Sequence, residues 1–194
     1  MRRAYRQRLF ISTQGSYSAR VDDSAFLITP YQVDRGTLDV EDLVLIRDGR
    51  AEAHKAPSRA AGLHAAIYRE HPGVGAVVNA YPVNATAFSV TGAALDCRTI
   101  PESYVVVRYV GRAPFGLQFG DGRELAQLIS PARPAIILEN DGVLVTGADV
   151  LEAFDRLEVL ESTAEAIINC GAIGSLMPLS GEVTRDLDAA FFGC

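Results

Sequence analysis

Apolar and polar residues alternate with period two from Ser16 to Val21 and again from Ala25 to Thr29. Successive side chains of a strand point to opposite faces, so the two stretches read as half-buried strands, and Asp22-Asp23 between them predicts a β-hairpin. Leu43 to Arg47 repeats the pattern and turns at Asp48-Gly49 toward a short further strand. Short apolar runs, Val74 to Val78 and Ala135 to Leu138, read as buried strands, with Val143 to Thr146 following across a turn at Asp141-Gly142. Tyr104 to Tyr109 is so dense in β-branched residues that it predicts a central strand.

Between these runs the period lengthens to that of a helix. Pro57-Ser58 opens a segment with Ala61, His64, Ile67 and Tyr68 at three- and four-residue spacing, and Pro72-Gly73 stops it. Asn84 to Thr91 and Glu124 to Ile129 read as short helices, the second after a loop containing Gly116, Gly120 and Gly122 that lacks the phosphate-loop lysine and serves as a turn. Asp149 is placed to cap a long helix reaching about Asn169, whose apolar side is Leu151, Phe154, Leu157, Ala164, Ile167 and Ile168. Hairpins and helices without a strict βαβ repeat predict a three-layer α/β/α sandwich with a mixed, largely antiparallel central sheet.

A chain of 194 residues suits one domain over 1–194, with a short lead at 1–8 and an apolar tail at 171–194 that packs on the core or on a neighbouring subunit. The net charge of −6, with basic residues clustered only at Arg2, Arg3, Arg6 and Arg8, excludes an extended nucleic-acid face. Cys97, Cys170 and Cys194 are far apart and form no Cys-x-x-Cys, which predicts reduced thiols. No run approaches the roughly 18 apolar residues of a membrane span, and no secretory signal is evident. The expectation is a soluble, cytoplasmic protein. His64, beside an apolar stripe, reads as a satisfied core histidine, His54 as a loop residue and His71 as a helix end.

The chemistry converges where the run through Val78 ends. Asn79 and Tyr81 lie two apart on extended backbone before Pro82, so their side chains leave on one side, where a pair of imidazoles could grip a metal ion. Around them stand Ser12-Thr13-Gln14-Gly15-Ser16, Phe26-Leu27-Ile28-Thr29-Pro30, Lys55-Ala56-Pro57-Ser58 with His64-Ala65-Ala66-Ile67-Tyr68, His71-Pro72-Gly73-Val74 and Asn140-Asp141-Gly142-Val143 through Thr146-Gly147. In this order and spacing they resemble the class II aldolase/adducin family, whose enzymes act on sugar phosphates and related hydroxy-carbonyl compounds with zinc. Set against that family the chain begins late, Met1 to Gln7 standing for a leading helix. The resemblance implies the layered fold, a fourfold ring, and substrate contacts at Thr13, Gly15, Ser16, Thr29, Ser58 and Arg59.

It also implies three zinc-holding histidines and a catalytic glutamate, and here the chain departs. The histidine positions carry Asn79, Tyr81 and Asp141, and the glutamate position carries Ala60. An amide oxygen is neutral and a phenol near its ordinary pKa of about 10 keeps its proton, so the expected cofactor is none. Losing a Lewis acid and a proton-transferring carboxylate removes on the order of 8 kcal/mol of barrier lowering, about a million-fold in rate. The expected function is therefore a degenerate member, a homo-oligomeric assembly or small-metabolite-binding protein. Two alternatives stand beside it. One is an aldolase-like enzyme with a rebuilt site that anchors an anionic, phosphorylated or carboxylated metabolite on Arg59 and moves protons with Tyr81 or Asp141. The other is an inactive partner in a mixed ring with an active relative.

Overall fold

The computed structural model describes residues 1–193. Cys194, one of the three thiols considered above, lies outside them. After a short helix α1 (Arg2–Arg6), the first half of the chain forms β1 (Ser16–Asp22), β2 (Ala25–Ile28), β3 (Val44–Arg47), β4 (Arg50–Ala51), α2 (Ala61–Glu70) and β5 (Ala76–Ala80). The second half forms α3 (Val83–Ser89), α4 (Pro101–Val107), β6 (Val110–Ala113), α5 (Arg123–Gln127), β7 (Ala135–Leu138), β8 (Val143–Gly147), α6 (Val150–Ile173) and α7 (Gly181–Phe192). The strands make one eight-stranded sheet in the order β4-β3-β2-β1-β5-β8-β7-β6. Every neighbouring pair is antiparallel except β6 with β7.

Period-two alternation sorts the central strands into two cores. Ala76, Val78 and Ala80 of β5 join Val143 and Val145 of β8 and Ala135 and Ile137 of β7 on the face covered by α1, α3, α4 and α6. Val77, Leu144, Ile136 and Leu138 point the other way, against Leu63, Ile67 and Leu125 of α2 and α5. Two covered faces make the three layers that the pattern predicts. Strand β5, buried along its whole length, is paired on both sides and carries Asn79 near its end, on the α2 face, opposite Ser16 of β1.

Several element boundaries differ from the sequence expectation. Residues 104–109 are not a central strand: Pro101 at the first helical turn and Glu102 beside it start α4, which runs to Val107, and only Val110 begins β6. Tertiary burial overrides β-propensity there, because Ser103, Tyr104 and Val107 sit one helical turn apart and face the core, with the Thr163 hydroxyl of α6 donating to Ser103 Oγ at 2.7 Å. Arg108 leaves the helix at φ +59.

The α2 helix begins at Ala61 rather than at Pro57-Ser58: Pro57 bridges to Pro30, and the turn leading into the helix is Arg59-Ala60. Asp149 caps α6 as expected, accepting from Glu152 N at 2.9 Å, but the helix extends to Ile173 and its buried stripe is Ala153, Phe154, Leu157, Leu160, Thr163 and Ala164. Leu151 and Ile168, expected on the apolar side, are exposed, whereas Ile167 packs against the core. Beyond it, α7 has no buried residue. It is anchored to the end of α4, where Asp188 accepts from Arg108 and from the Tyr104 hydroxyl at 2.9 and 3.0 Å, and the Arg108 guanidinium lies 3.6 Å from the Phe192 ring centroid. No helix of the described residues is long and apolar enough to cross a membrane.

Candidate functional site

A cleft of about 390 Å³ opens on the α2 face where β1 begins and β5 ends. Its floor is set by a close backbone approach. Gly15 has φ +84, and a Cβ there would lie 2.6 Å from the Phe10 ring and 2.9 Å from Asn79 O, so only glycine lets the loop before β1 settle on β5. Gly142 plays the corresponding part opposite: a Cβ there would lie 2.3 Å from Ala80 O and 2.8 Å from the Tyr81 ring. The bare backbone brings the 140–142 turn, and Asp141 with it, against the end of β5.

Asn79, Tyr81 and Asp141 thus share one wall, as the spacing of the first two and the resemblance for the third imply. Asn79 is buried, and its Oδ1 has no hydrogen-bond partner among the described residues. An orphaned buried carbonyl oxygen is costly, and water or a ligand donor in the cleft would satisfy it. Asp141 accepts from Gln118 Nε2 at 3.0 Å. Burial, and then the neighbouring Asp141 carboxylate, push the Tyr81 phenol up to about 12 against the opposing pull of Arg59. At neutral pH the phenol therefore keeps its proton, and it shares the wall with a neutral amide and the side chain of Asp141. Among the described residues no group of three or more His, Cys, Asp or Glu is arranged to hold a metal ion.

The opposite wall comes from the turn into α2 and the loop before β1. Ser58 Oγ accepts from Ala60 N at 3.3 Å, and the methyl group of Ala60 stands where the resemblance implies a carboxylate. Arg59 is exposed at the mouth, its guanidinium 5.6 Å from the Tyr31 ring centroid. Thr13, Gly15, Ser16, Ser58 and Arg59 all line the cleft. Thr29 does not: its hydroxyl accepts from Tyr17 N at 3.2 Å, and its side chain borders a separate groove with Leu27 and Leu38.

Behind Ser16 runs a buried polar chain. Ser16 Oγ lies 2.9 Å from His64 Nε2, His64 Nδ1 lies 2.6 Å from Ser18 Oγ, and Ser18 Oγ lies 2.7 Å from the Tyr68 hydroxyl. Ser16 and Ser18 face α2 because they alternate with Tyr17, which points to the other core. Burial lowers the His64 pKa to about 3, so its ring is neutral and offers one donor and one acceptor nitrogen. His64 is the satisfied core histidine its position predicts. His71 ends α2, its Nε2 lying 2.8 Å from Ala126 O.

Two cleft residues carry no signal in the sequence pattern. Gln118 lies in the glycine-rich loop and Arg35 in the segment after Pro30, neither in a periodic run. Arg35 is nonetheless 2% exposed.

Comparison with known proteins is consistent throughout. The model of the class II aldolase and adducin N-terminal domain matches residues 1–168. The chain is 34% identical over 169 residues to a 3-oxo-tetronate 4-phosphate decarboxylase of Haemophilus influenzae, covering 83% of this chain and 80% of the relative. It is 31% identical over 165 residues to an L-fuculose phosphate aldolase of Methanococcus maripaludis, covering 83% and 88%. Among solved structures, YgbL of Escherichia coli superposes with a TM-score of 0.86 at 26% identity over 96% of this chain and 92% of that one.

Proposed function

Because this chain belongs to the class II aldolase and adducin N-terminal domain family, we propose that it binds a small anionic metabolite in the cleft and lacks zinc-dependent carbon–carbon chemistry. The observation that carries this reading is the donor set of Asn79, Tyr81 and Asp141. Zinc takes imidazole, thiolate or carboxylate, commonly three protein groups with one open position. One carboxylate already bonded to Gln118, a neutral amide and a phenol that holds its proton do not fit it. Ala60 supplies no acid or base in the place where the resemblance implies one.

The cleft itself remains open and polar, and that supports retained binding. The two relatives above bear names that specify phosphorylated compounds, which makes sugar phosphates and phosphorylated sugar acids the first ligands to try. A thermal-shift panel of such compounds, paired with an aldol-cleavage assay supplemented with zinc, tests both halves. The reading expects a saturable shift with at least one compound and no cleavage. Zinc-dependent turnover overturns it.

A second reading rests on the Tyr81–Asp141 pair, where a carboxylate beside a phenol is a proton-transfer arrangement facing open cleft. In that reading the site is rebuilt for metal-free chemistry on the same ligand. Turnover that vanishes in Asp141→Ala while ligand binding persists supports it, and binding without any turnover removes it. Assembly into a closed ring of identical subunits, or a mixed ring with an active relative, accompanies either reading and is checked by light scattering of the purified chain.

A further inference from the structure

Arg35 is among the largest fully buried side chains of the protein, yet no carboxylate lies within ion-pair distance of its guanidinium among the described residues. Buried charges are ordinarily paired, since desolvation without a counter-charge is costly. The adjacent Asp34 is exposed, accepts from Gly36 N at 2.7 Å, and acts on Arg35 only from beyond ion-pair distance. Arg35 meets main-chain carbonyls instead. Nε and Nη2 donate to Gly15 O at 3.2 and 2.8 Å, Nη2 also donates to Pro30 O at 3.0 Å, and Nη1 donates to Val33 O at 2.8 Å. A guanidinium has five N–H groups, and these four bonds leave one N–H on Nη1 without a partner among the described residues.

The location of that charge gives it a use. Arg35 lines the cleft, and its carbonyl partners belong to the loop before β1 and the loop after β2, which form adjoining parts of the wall. The groups lining the cleft that are charged at neutral pH are Arg35, Arg59 and Asp141, an excess of one positive charge in a chain of net −6. The same cleft is lined by Ser16 and Ser58, whose hydroxyls are able to donate to an oxyanion, and by Asn79, whose Oδ1 has no partner among the described residues and would accept from a ligand hydroxyl.

We propose that Arg35 is a specificity-determining residue of the cleft: a preorganised buried cation, held by the Gly15, Pro30 and Val33 carbonyls, whose missing counter-charge is the phosphate or carboxylate of the ligand. This rests on the anion-binding reading above and adds to it the residue that selects for charge. The exposed Arg59 steers from the mouth, while Arg35 acts without competing water, where a charged hydrogen bond is strongest. The same four bonds make Arg35 a clamp between two loops, so the test must separate charge from clamp.

Binding of inorganic phosphate and of acetate is measured by calorimetry at constant ionic strength on the wild type, Arg35→Lys and Arg35→Met, with the ligand-free melting temperature of each. Lysine keeps the charge and loses the fork, and methionine loses both. The expected result is phosphate or acetate binding that Arg35→Lys largely retains and Arg35→Met weakens by roughly ten- to a hundredfold, the range for losing a charge-assisted hydrogen bond. The tighter of the two probes names the ligand group. Equal losses in both variants, tracking their melting temperatures, reduce Arg35 to a clamp and overturn the proposal. Unaltered binding in Arg35→Met overturns it too and leaves the anion-binding reading standing, whereas a wild type that binds neither probe sinks that reading itself. If Arg35→Met does not fold, the side-chain N–H resonances of Arg35 in nitrogen-labelled wild type decide: a saturable shift on adding phosphate or acetate supports the proposal, and no shift overturns it.

Discussion

Acidification from pH 7.5 to pH 5 should destabilise this protein through His64. Its ring is fully buried against Ser16, Ser18 and Tyr68, and burial lowers its pKa from 6.5 to about 3. The unfolded chain takes up a proton near pH 6.5 and the folded chain does not until about pH 3, so between those values the unfolded state holds more protons. Stability therefore rises with pH in that window and falls as pH drops through it, by up to about 1.4 kcal/mol per pH unit. Integrated from pH 7.5 to pH 5, the loss is about 2 kcal/mol, a large part of the roughly 5–15 kcal/mol that holds a domain folded. Urea unfolding at several pH values reads this directly, with His64→Gln as the comparison because an amide keeps a donor and an acceptor and cannot take up a proton. The wild type should lose about 2 kcal/mol more than His64→Gln over this range. Parallel pH profiles for the two proteins would refute the reasoning.

Gly15→Ala should lower stability by about 1–3 kcal/mol from its φ of +84 alone, with the collision against Phe10 and Asn79 O adding to it, and should weaken ligand binding because the cleft floor shifts. An unchanged unfolding midpoint would contradict the close approach. Leu157→Ala, in the fully buried stripe of α6, should cost about 2–5 kcal/mol by urea unfolding, and a loss below about 1 kcal/mol would mean that α6 does not cover the sheet as described. Asp188→Ala removes the partner of Arg108 and Tyr104, so limited proteolysis should cut faster between Gly174 and Ser180 while the core's melting temperature holds. Equal cutting in wild type and variant would show that this contact does not hold α7.

Much of the layered fold is legible in the sequence because each face of the sheet is closed, and a closed face forces the alternation seen in β1, β2 and β3 and the apolar runs of β5, β7 and β8. The failure at residues 104–109 has the same physical root. Val105, Val106 and Val107 favour a strand by their own conformational preference, but Pro101 starts a helix that buries Ser103 against Thr163 of α6 and, one turn on, Val107 in the core. Side-chain preference is local and burial is not. The same distinction divides the site. Asn79 and Tyr81 could be placed together because they lie two apart at a strand end, whereas Asp141 and Gly15 joined them only through the family resemblance. Arg35 reaches the cleft through an irregular loop, held by the Gly15 carbonyl from before β1 and by the Pro30 and Val33 carbonyls of its own loop, which leaves no periodic trace. Thr29 shows the opposite error: its motif invites a ligand contact, but strand pleating turns its hydroxyl to Tyr17 N.

The measurement that bears most directly on this account is the zinc content of the chain purified without added metal, combined with calorimetric titration of zinc. With Asn79, a proton-holding Tyr81 and a Gln118-bonded Asp141 as the available donors, the account predicts negligible zinc and no saturable high-affinity binding. Near-stoichiometric zinc held at submicromolar affinity, and released when Asp141 is changed to Ala, would contradict it.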